Sequence, residues 1–251
     1  MKNPNQASQP SLSEKIISAG VWAIGLLNFI ILIPFATLLM IIFKPNVYDN
    51  TVKFLCRLFI RSLFIKVVPQ GYENFNPGKT YIFMSNHVNI FDVFILNGFI
   101  PNFVRGVELE DHFRWFVYGA AIRRFGNIPI SHKNPRQALV SLNKAEEALK
   151  SGTSIIILPE GGRTLDGNFK PFKRGAFRLA KNAGFDIVPM VLKDAYRVKR
   201  KGNNLIRPGT VYCRFGEVIP REVIDRMTPD ELRETIRDAM QGLLERRVFA
   251  H

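Results

Sequence analysis

The feature that most constrains this chain is an uncharged apolar run of 28 residues, from Ile16 to Phe43. As one helix, the run would extend roughly 42 Å, whereas the hydrocarbon core of a bilayer is about 30 Å thick. The run is longer than the apolar region of a secretory signal peptide, and no small-residue cleavage site follows it. It therefore predicts a membrane-associated segment, and the alternative is a helix buried in a soluble core.

Pro34 lies inside this run and removes one helical hydrogen bond. Two membrane arrangements are compatible with a proline at that position. One is a single kinked helix that spans the bilayer, and the other is a re-entrant pair of helices that dips into one leaflet.

The segment from Thr51 to Lys66 has the pattern of a basic amphipathic helix. Apolar side chains recur at helical spacing, and Lys53, Arg57 and Arg61 form a second stripe in which each cation follows the last by four residues. Such a helix lies in a membrane interface with its cations toward anionic headgroups, or it covers a globular core with a solvated basic face. Directly after an apolar run, the pattern favours the interface.

The charge of the whole chain is strongly positive, with 35 basic and 21 acidic residues giving a formal charge of +14. Such an excess predicts an anionic partner: an anionic membrane, a phosphorylated small molecule or nucleic acid. The cations gather on the C-terminal side of the apolar run, which predicts that this side faces the cytoplasm from an inner or cytoplasmic membrane. Two cysteines exclude a disulfide framework and a cysteine-rich zinc module.

The domain organisation follows from these patterns. We predict a polar tail over residues 1–15, a membrane-anchoring helical segment over residues 16–66 and a soluble domain over residues 67–251. The soluble part alternates strands and helices, so the fold class is α/β, with a largely parallel or mixed central sheet flanked by helices. The predicted strands are Thr80–Ser85, Phe103–Leu109, Ile128–Ile130, Ser154–Leu158, Asp186–Leu192 and Thr210–Phe215, and the predicted helices are Glu110–Arg124, Pro135–Lys150, Phe172–Ala183 and one from Thr228 to about Arg247.

A first candidate site follows the Thr80–Ser85 strand, in the stretch Asn-His-Val-Asn-Ile-Phe-Asp that contains His87 and Asp92. Five helical steps of about 100° would place the two side chains on different faces of a regular helix. They meet if His87 lies in the turn before a helix and Asp92 lies in its first turns. Asp92 would then orient the imidazole and leave its other nitrogen free as a general base. A surface or structural His–Asp pair is the alternative.

A second candidate site follows the buried strand at 154–158, in the stretch Pro-Glu-Gly-Gly-Arg. Adjacent glycines let the backbone approach a ligand closely, and a guanidinium binds a phosphate through two hydrogen bonds. Gly161, Arg163 and the downstream Lys173 are therefore candidate binding residues. The alternative is a turn with solvated cations.

Taken together, these motifs resemble those of the glycerolipid acyltransferase family, typified by 1-acyl-sn-glycerol-3-phosphate acyltransferases. The resemblance rests on Asn-His-x4-Asp, then Pro-Glu-Gly-x-Arg, then Phe-Lys-Arg-Gly-Ala, then Val-Pro-Met on a strand, in the family's order from about residue 16 to residue 218. It implies that the domain at 67–251 moves a fatty acyl group from acyl-CoA or acyl-carrier protein to the free hydroxyl of a lysophospholipid acceptor in the membrane. No bound cofactor, metal or nucleic acid is expected.

The resemblance also implies a role for each candidate residue. His87 would be the general base and Asp92 its orienting partner, while Glu160 and Arg163 would bind the acceptor, with Arg163 on its phosphate. Lys173 would add to an anion site. Because the chain contains no Gly-x-Ser-x-Gly elbow, direct attack on the thioester is the simpler mechanism.

One stretch departs from the family pattern. After Gly126-Asn-Ile-Pro-Ile, Ser131 and His132 stand where an acidic residue and an arginine that contacts the acceptor phosphate are commoner. Either His132 or Lys133 replaces that cation, or the acceptor carries another head group. Lysophosphatidic acid and other lysolipids therefore both remain open as acceptors.

Two further functions are compatible with the sequence. A hydrolase of acyl thioesters would use the same pocket with water as the acceptor. A membrane-tethered basic protein that binds lipid head groups or nucleic acid would use the cations between Lys193 and Arg207. In an acyltransferase, the same cations would lie near anionic lipid or near the phosphates of a nucleotide-containing donor.

Overall fold

The computed structural model describes residues 10–131 and 135–246. In chain order its helices and strands are α1 Leu12–Ile42, α2 Pro45–Ser62, β1 Ile65–Gln70, β2 Ile82–Ser85, α3 Asp92–Phe99, β3 Val104–Leu109, α4 Phe116–Phe125, β4 Ile128–Ile130, α5 Pro135–Lys150, β5 Ser154–Ile157, α6 Arg174–Ala183, β6 Ile187–Lys193, α7 Ala195–Val198, β7 Gly209–Phe215, α8 Arg221–Arg226 and α9 Pro229–Glu245. Short 3-10 helices cover Tyr72–Asn74 and Glu110–Arg114.

The strands form a seven-stranded sheet in the order β1-β7-β6-β2-β5-β3-β4. All neighbours pair in parallel except β6 and β7, which are antiparallel, so the sheet is mixed. This confirms the predicted α/β class with a largely parallel or mixed sheet flanked by helices. The parallel pairing of β2 with β5 has a direct consequence, because the carboxyl ends of these two strands meet at one edge of the sheet.

The two faces of the sheet carry separate apolar cores, because successive side chains of a strand point to opposite faces. Phe83 of β2 packs into the core that α2 and α3 cover, whereas Ile82 and Met84 pack into the core under α5, α6 and α9. Both cores are built from fully buried aliphatic and aromatic side chains. The rigid strands therefore hold the loops at their carboxyl ends in fixed positions.

Helix α1 continues through Pro34 without a break. Two helices, α1 and α2, follow one another in this region, but the boundary between them is not at that proline. The division falls at Phe43–Lys44, before α2 begins with Pro45. By length and composition α1 is apolar enough to cross a membrane. Most of its large apolar side chains are exposed, whereas a narrow stripe is buried against the rest of the protein, chiefly α2 and α4: Ser18, Val21, Gly25, Ala36 and Met40.

Helix α2 and its surroundings differ from the sequence expectation in two ways. It ends at Ser62 rather than near Lys66, and the unpredicted edge strand β1 begins at Ile65. Lys53, expected on a basic face toward headgroups, is buried instead. Its ammonium pairs with Asp49 at 2.6 Å and donates to the carbonyl oxygens of Pro101 and Asn102, each at 2.8 Å. A buried cation is stable only with such partners, and two of them, Pro101 and Asn102, lie nearly 50 residues away in the chain.

The predicted helix over Glu110–Arg124 is divided in the structure. A 3-10 turn covers Glu110–Arg114, and α4 then begins at Phe116 after the extended residue Trp115. The predicted strands and the helices over 135–150, 172–183 and 228–247 are present, with ends that shift by a few residues.

Candidate active site

Two loops meet at the carboxyl edge of the sheet. The loop over residues 86–91 follows β2, and the loop over residues 158–173 follows β5, its parallel neighbour. The backbone N–H of Thr164 donates to the carbonyl oxygen of His87 at 3.0 Å, which joins the loops directly. Tertiary pairing thus brings together two motifs that lie about 70 residues apart in the sequence.

His87 and Asp92 form the expected pair. His87 lies in the loop before α3, and Asp92 is the first residue of that helix, where the helix dipole favours a negative charge. Nδ1 of His87 lies 2.9 Å from Oδ2 of Asp92, whose carboxylate is fully buried, whereas the His87 side chain is 21% exposed. Nε2 of His87 has no hydrogen-bond partner among residues 10–131 and 135–246, so this nitrogen is left to face a substrate.

Asp92 also holds the loop in place. The backbone N–H groups of Val88 and Asn89 donate to the same Oδ2 atom at 2.6 and 2.9 Å. The other carboxylate oxygen, Oδ1, is buried without a partner in the described part of the chain. Three donors on one oxygen fix the loop and the imidazole in a single arrangement.

Two buried asparagines complete the support of this loop. Asn86 accepts the backbone N–H of Leu192 at 2.8 Å, and Asn89 donates to the carbonyl oxygen of Ala195 at 2.9 Å. Asn89 also accepts the N–H of Phe91 at 2.7 Å, which forms a tight turn into α3. These residues tie the loop to β6 and α7, and the sequence analysis assigned no role to them.

Glu160 stabilises the loops of the site and does not line the cleft. It is 1% exposed, and its two oxygens accept the backbone N–H groups of His87 at 2.8 Å and Lys170 at 2.9 Å. Burial raises the pKa of its carboxyl above the ordinary value, while the two backbone hydrogen bonds oppose that rise. The contact with acceptor that the family resemblance implies for Glu160 is therefore not supported, since both oxygens are already bound to backbone groups.

A cleft of about 570 Å³ opens in front of His87. Its walls are mostly apolar and include side chains of α1, α2 and α3, among them Leu26, Phe29, Phe59 and Phe94. Its polar lining comes from His87, Gly162, Arg163, Lys201, Glu108, His112 and Tyr118. A cleft with apolar walls and a few convergent polar groups fits a ligand with a long apolar part and a polar head.

The cationic end of the cleft contains Arg163 and Lys201. Gly161, with φ of +63°, turns the chain so that Gly162 and Arg163 line the cleft. Lys201 comes from the connection between β6 and β7, and its ammonium lies 3.4 Å from the carbonyl oxygen of Arg163. Neither side chain forms an ion pair with an acid among the residues the structure describes. Lys201 lies within the basic stretch found in the sequence, but no motif distinguishes it from the neighbouring cations.

The remaining candidates lie elsewhere. Lys173 is exposed at the start of α6 and does not line the cleft, although its backbone N–H holds the carbonyl oxygen of Pro159 at 2.7 Å. His132 and Lys133 lie outside the described residues. No group of three His, Cys, Asp or Glu side chains suited to a metal ion occurs within residues 10–131 and 135–246.

The arrangement is suited to proton transfer next to an anion-binding end. The Asp92 carboxylate can stabilise a protonated His87, and Nε2 can accept a proton from a group bound in the cleft. Arg163 and Lys201 can bind a phosphate close to that point.

Comparison with known proteins shows the family of this chain. A family model described as Acyltransferase matches residues 66–193, just over half of the 251 residues. The chain is 29% identical over 179 residues to the chloroplastic 1-acyl-sn-glycerol-3-phosphate acyltransferase BAT2 of Brassica napus, which covers 70% of this chain and 52% of the relative. It is also 29% identical over 223 residues to a 1-acyl-sn-glycerol-3-phosphate acyltransferase of Limnanthes douglasii, covering 88% and 75% of the two chains.

The fold also matches a solved structure. The crystal structure of the 1-acyl-sn-glycerophosphate acyltransferase PlsC from Thermotoga maritima superimposes with a TM-score of 0.81. The match covers 94% of this chain and all of the other, at 21% sequence identity, which shows a common fold. The chain spans about half the length of the Brassica relative and three quarters of the Limnanthes relative.

Proposed function

This chain belongs to the acyltransferase family, and on that premise we propose that it transfers a fatty acyl group from an acyl thioester to the free hydroxyl of lysophosphatidic acid. The donor is acyl-CoA or acyl-carrier protein. The observation that carries this proposal is the His87–Asp92 pair, with Nδ1 and Oδ2 2.9 Å apart at the base of an apolar cleft. The acceptor follows from the names of the relatives, which are 1-acyl-sn-glycerol-3-phosphate acyltransferases.

His87 acts as the general base in this mechanism. Nε2 removes the proton of the acceptor hydroxyl while its oxygen attacks the thioester carbonyl carbon. The carbon–sulfur bond then breaks, an ester forms, and the thiolate leaves with the proton that His87 gives up. His87 ends the cycle neutral, and no acyl-enzyme is required.

Two further groups support this step. The buried Asp92 carboxylate stabilises the imidazolium that forms while the proton is on His87. Gly162 lines the cleft, and its backbone N–H donates to no other group in the described ranges, so we assign this N–H to the oxygen of the tetrahedral intermediate.

The two ends of the cleft suit the two parts of the substrates. Arg163 and Lys201 bind the acceptor phosphate, and Lys201 supplies a cation in addition to the one that the family resemblance assigns. The apolar walls receive the acyl chains. Phe29, Phe59 and Phe94 line both this cleft and a second apolar cavity of about 80 Å³ between α1, α2 and α4.

Helix α1 is the proposed membrane anchor, and its contacts support an orientation along one leaflet. Near its start, Glu14 pairs with Arg207 at 3.0 Å; near its end, the carbonyl oxygen of Met40 accepts Nε of Arg124 at 3.0 Å. These contacts are separated by roughly 39 Å of helix, more than the thickness of the hydrocarbon core. Since both ends of α1 contact the same domain, α1 rests beside that domain with its exposed apolar face in lipid.

The test is thiol release from a long-chain acyl-CoA by the purified chain, with and without a panel of lysolipids. Release that requires lysophosphatidic acid and disappears in His87→Ala, with the circular dichroism spectrum preserved, supports the proposal. Acceptor-independent release would favour a thioester hydrolase. No release from acyl-CoA leads to the same assay with acyl-carrier protein, and absence of release from both donors contradicts the proposal.

A further inference from the structure

The lining of the cleft includes large apolar side chains from two parts of the chain. Trp22 and Leu26 come from α1, and Ile90 and Trp115 come from the loops before α3 and α4. All four side chains are exposed in part, and Leu26 is 60% exposed. Ile90 and Trp115 lie outside residues 16–66, the segment predicted from the sequence to be in the membrane.

The most exposed large apolar side chain among the described residues is next to Trp115 in the chain. Phe116, the first residue of α4, is 94% exposed, and Trp115 before it is 54% exposed. Two adjacent aromatic side chains facing water are costly in a soluble surface, because each forgoes the free energy of burying its ring. Their exposure indicates a partner that the chain alone does not supply.

The exposed aromatic turn is held in a fixed position. The Trp115 ring packs against His112 at 4.8 Å and Tyr118 at 6.0 Å between centroids. At the other end of α4, Arg124 donates to main-chain carbonyl oxygens of α1. The turn is therefore fixed beside the proposed membrane helix.

The charge next to this turn identifies the chemistry of the partner. Arg114 precedes Trp115, and its side chain is 79% exposed with only a long, exposed contact of 3.7 Å to Asp111. An exposed arginine beside tryptophan and phenylalanine is the composition of a membrane interface, where the cation meets anionic headgroups and the rings enter the acyl boundary.

We propose that Trp115 and Phe116 form a second membrane contact, which inserts into the same leaflet as α1. Because Trp22 of α1 and Trp115 both line the cleft, the cleft then opens toward the bilayer, and a lysolipid enters without leaving the membrane. This inference rests on the membrane anchoring of α1 that forms part of the proposed function. It is independent of the identity of the acyl donor and acceptor.

Fluorescence tests the proposal directly, because Trp22 and Trp115 are the two tryptophans of the chain. In the Trp22→Phe variant of the full chain, Trp115 is the sole reporter. On addition of phosphatidylglycerol vesicles with brominated acyl chains, its emission should shift to the blue and be quenched. Vesicle flotation measures membrane binding in the same samples. A chain that floats with vesicles while its Trp115 stays open to aqueous iodide and unquenched by bromine would overturn the second contact and leave the α1 anchor intact.

A pair of matched variants tests the functional consequence. Phe116→Ser removes a ring that does not line the cleft, and Val223→Ser removes a 41% exposed apolar side chain of α8 as the control. Phe116→Ser should weaken vesicle binding about tenfold and slow acylation of long-chain lysolipid in vesicles. Activity on a short-chain, water-soluble lysolipid should be unchanged, and the control should match the unmodified chain in both assays.

Two outcomes would contradict this reasoning. Equal loss on both acceptors would assign Phe116 to the fold or the cleft rather than to the membrane. Loss of self-association in detergent without a change in vesicle binding would assign the turn to a contact between two copies of the chain. Activity of the unmodified chain on the soluble acceptor tests the acyl transfer separately, so failure of that function is distinguishable from failure of the membrane contact.

Discussion

Replacing Asp92 with Asn separates the charge of this residue from its hydrogen bonds. Oδ2 of Asp92 accepts three donors, from Nδ1 of His87 and the backbone N–H groups of Val88 and Asn89. The amide oxygen of Asn can occupy the same place and accept the same donors. Its NH₂ group would then occupy the position of Oδ1, which has no partner in the described ranges. The loop should keep its shape, while the charge that stabilises a protonated His87 is lost.

The magnitude follows from the geometry. Opposite charges centred about 4 Å apart interact by about 4 kcal/mol at an effective dielectric constant of 20. The His87 side chain is partly exposed, and solvent reduces this figure, so we expect a loss of about 2–4 kcal/mol in the transition state. That corresponds to a fall in kcat of about 30-fold to 1000-fold. Asp92→Ala should instead unfold the loop, since two buried N–H groups without an acceptor cost about 2–6 kcal/mol of stability.

The assay is acceptor-dependent thiol release by the unmodified chain, Asp92→Asn, His87→Ala and the double variant. If Asp92 acts through His87, the Asn substitution should have no further effect once His87 is absent. Thermal unfolding of each variant provides the control for folding. A loss of activity below twofold in Asp92→Asn, or a full additional loss in the double variant, would refute the orienting role of Asp92.

Three other predictions concern the residues around this pair. Lys201→Ala should raise KM for lysophosphatidic acid about 10-fold to 100-fold, because it removes a charged hydrogen bond to the phosphate. Arg197→Ala is the control: Arg197 is exposed and pairs with Asp194, so its loss should leave KM unchanged. Burial raises the pKa of Glu160 above its ordinary value of 4.5, so its contribution to the free energy of unfolding is complete below pH 4.5 and is lost as pH rises through the folded-state pKa. In urea unfolding, Glu160→Gln should lack this decline with pH. The same pH profile of stability in the variant and the unmodified chain would contradict the assignment. Burial raises the pKa of the Cys213 thiol, which should resist iodoacetamide in the folded chain and react only after unfolding, as mass spectrometry would record.

Several features of the fold could be predicted from the sequence because their signals are local. The apolar run, the alternation of strands and helices and the helix predicted from Thr228 all depend on neighbouring residues, and the structure contains each of them. The His87–Asp92 pair is also local, since five residues and a helix start suffice to bring the side chains together. Strand β1 gave no such signal, because an edge strand of six residues after a helix carries too little pattern to mark its start.

Other assignments required the tertiary structure because the partners lie far apart in the chain. Glu160 was expected to bind acceptor, but folding brings it to the backbone of His87 and Lys170, and a buried carboxylate must use its oxygens on such donors. Lys53 was expected to face headgroups, but the carbonyl oxygens of Pro101 and Asn102 bind it inside the domain. Composition and spacing are the same for a solvated and a buried cation, so the sequence alone could not distinguish them.

The sequence by itself identified the residues on which the proposed function depends: an apolar run proposed as the anchor, a histidine with its aspartate, and a glycine-rich turn that ends in Arg163. Only the tertiary structure decided which of them meet. The parallel pairing of β2 with β5 sets the two motifs side by side, and the connection between β6 and β7 brings Lys201 to Arg163 from 38 residues away. The physical reason is that local sequence sets the conformation of a segment, whereas the order of strands in a sheet is set by the burial of side chains contributed by the whole chain.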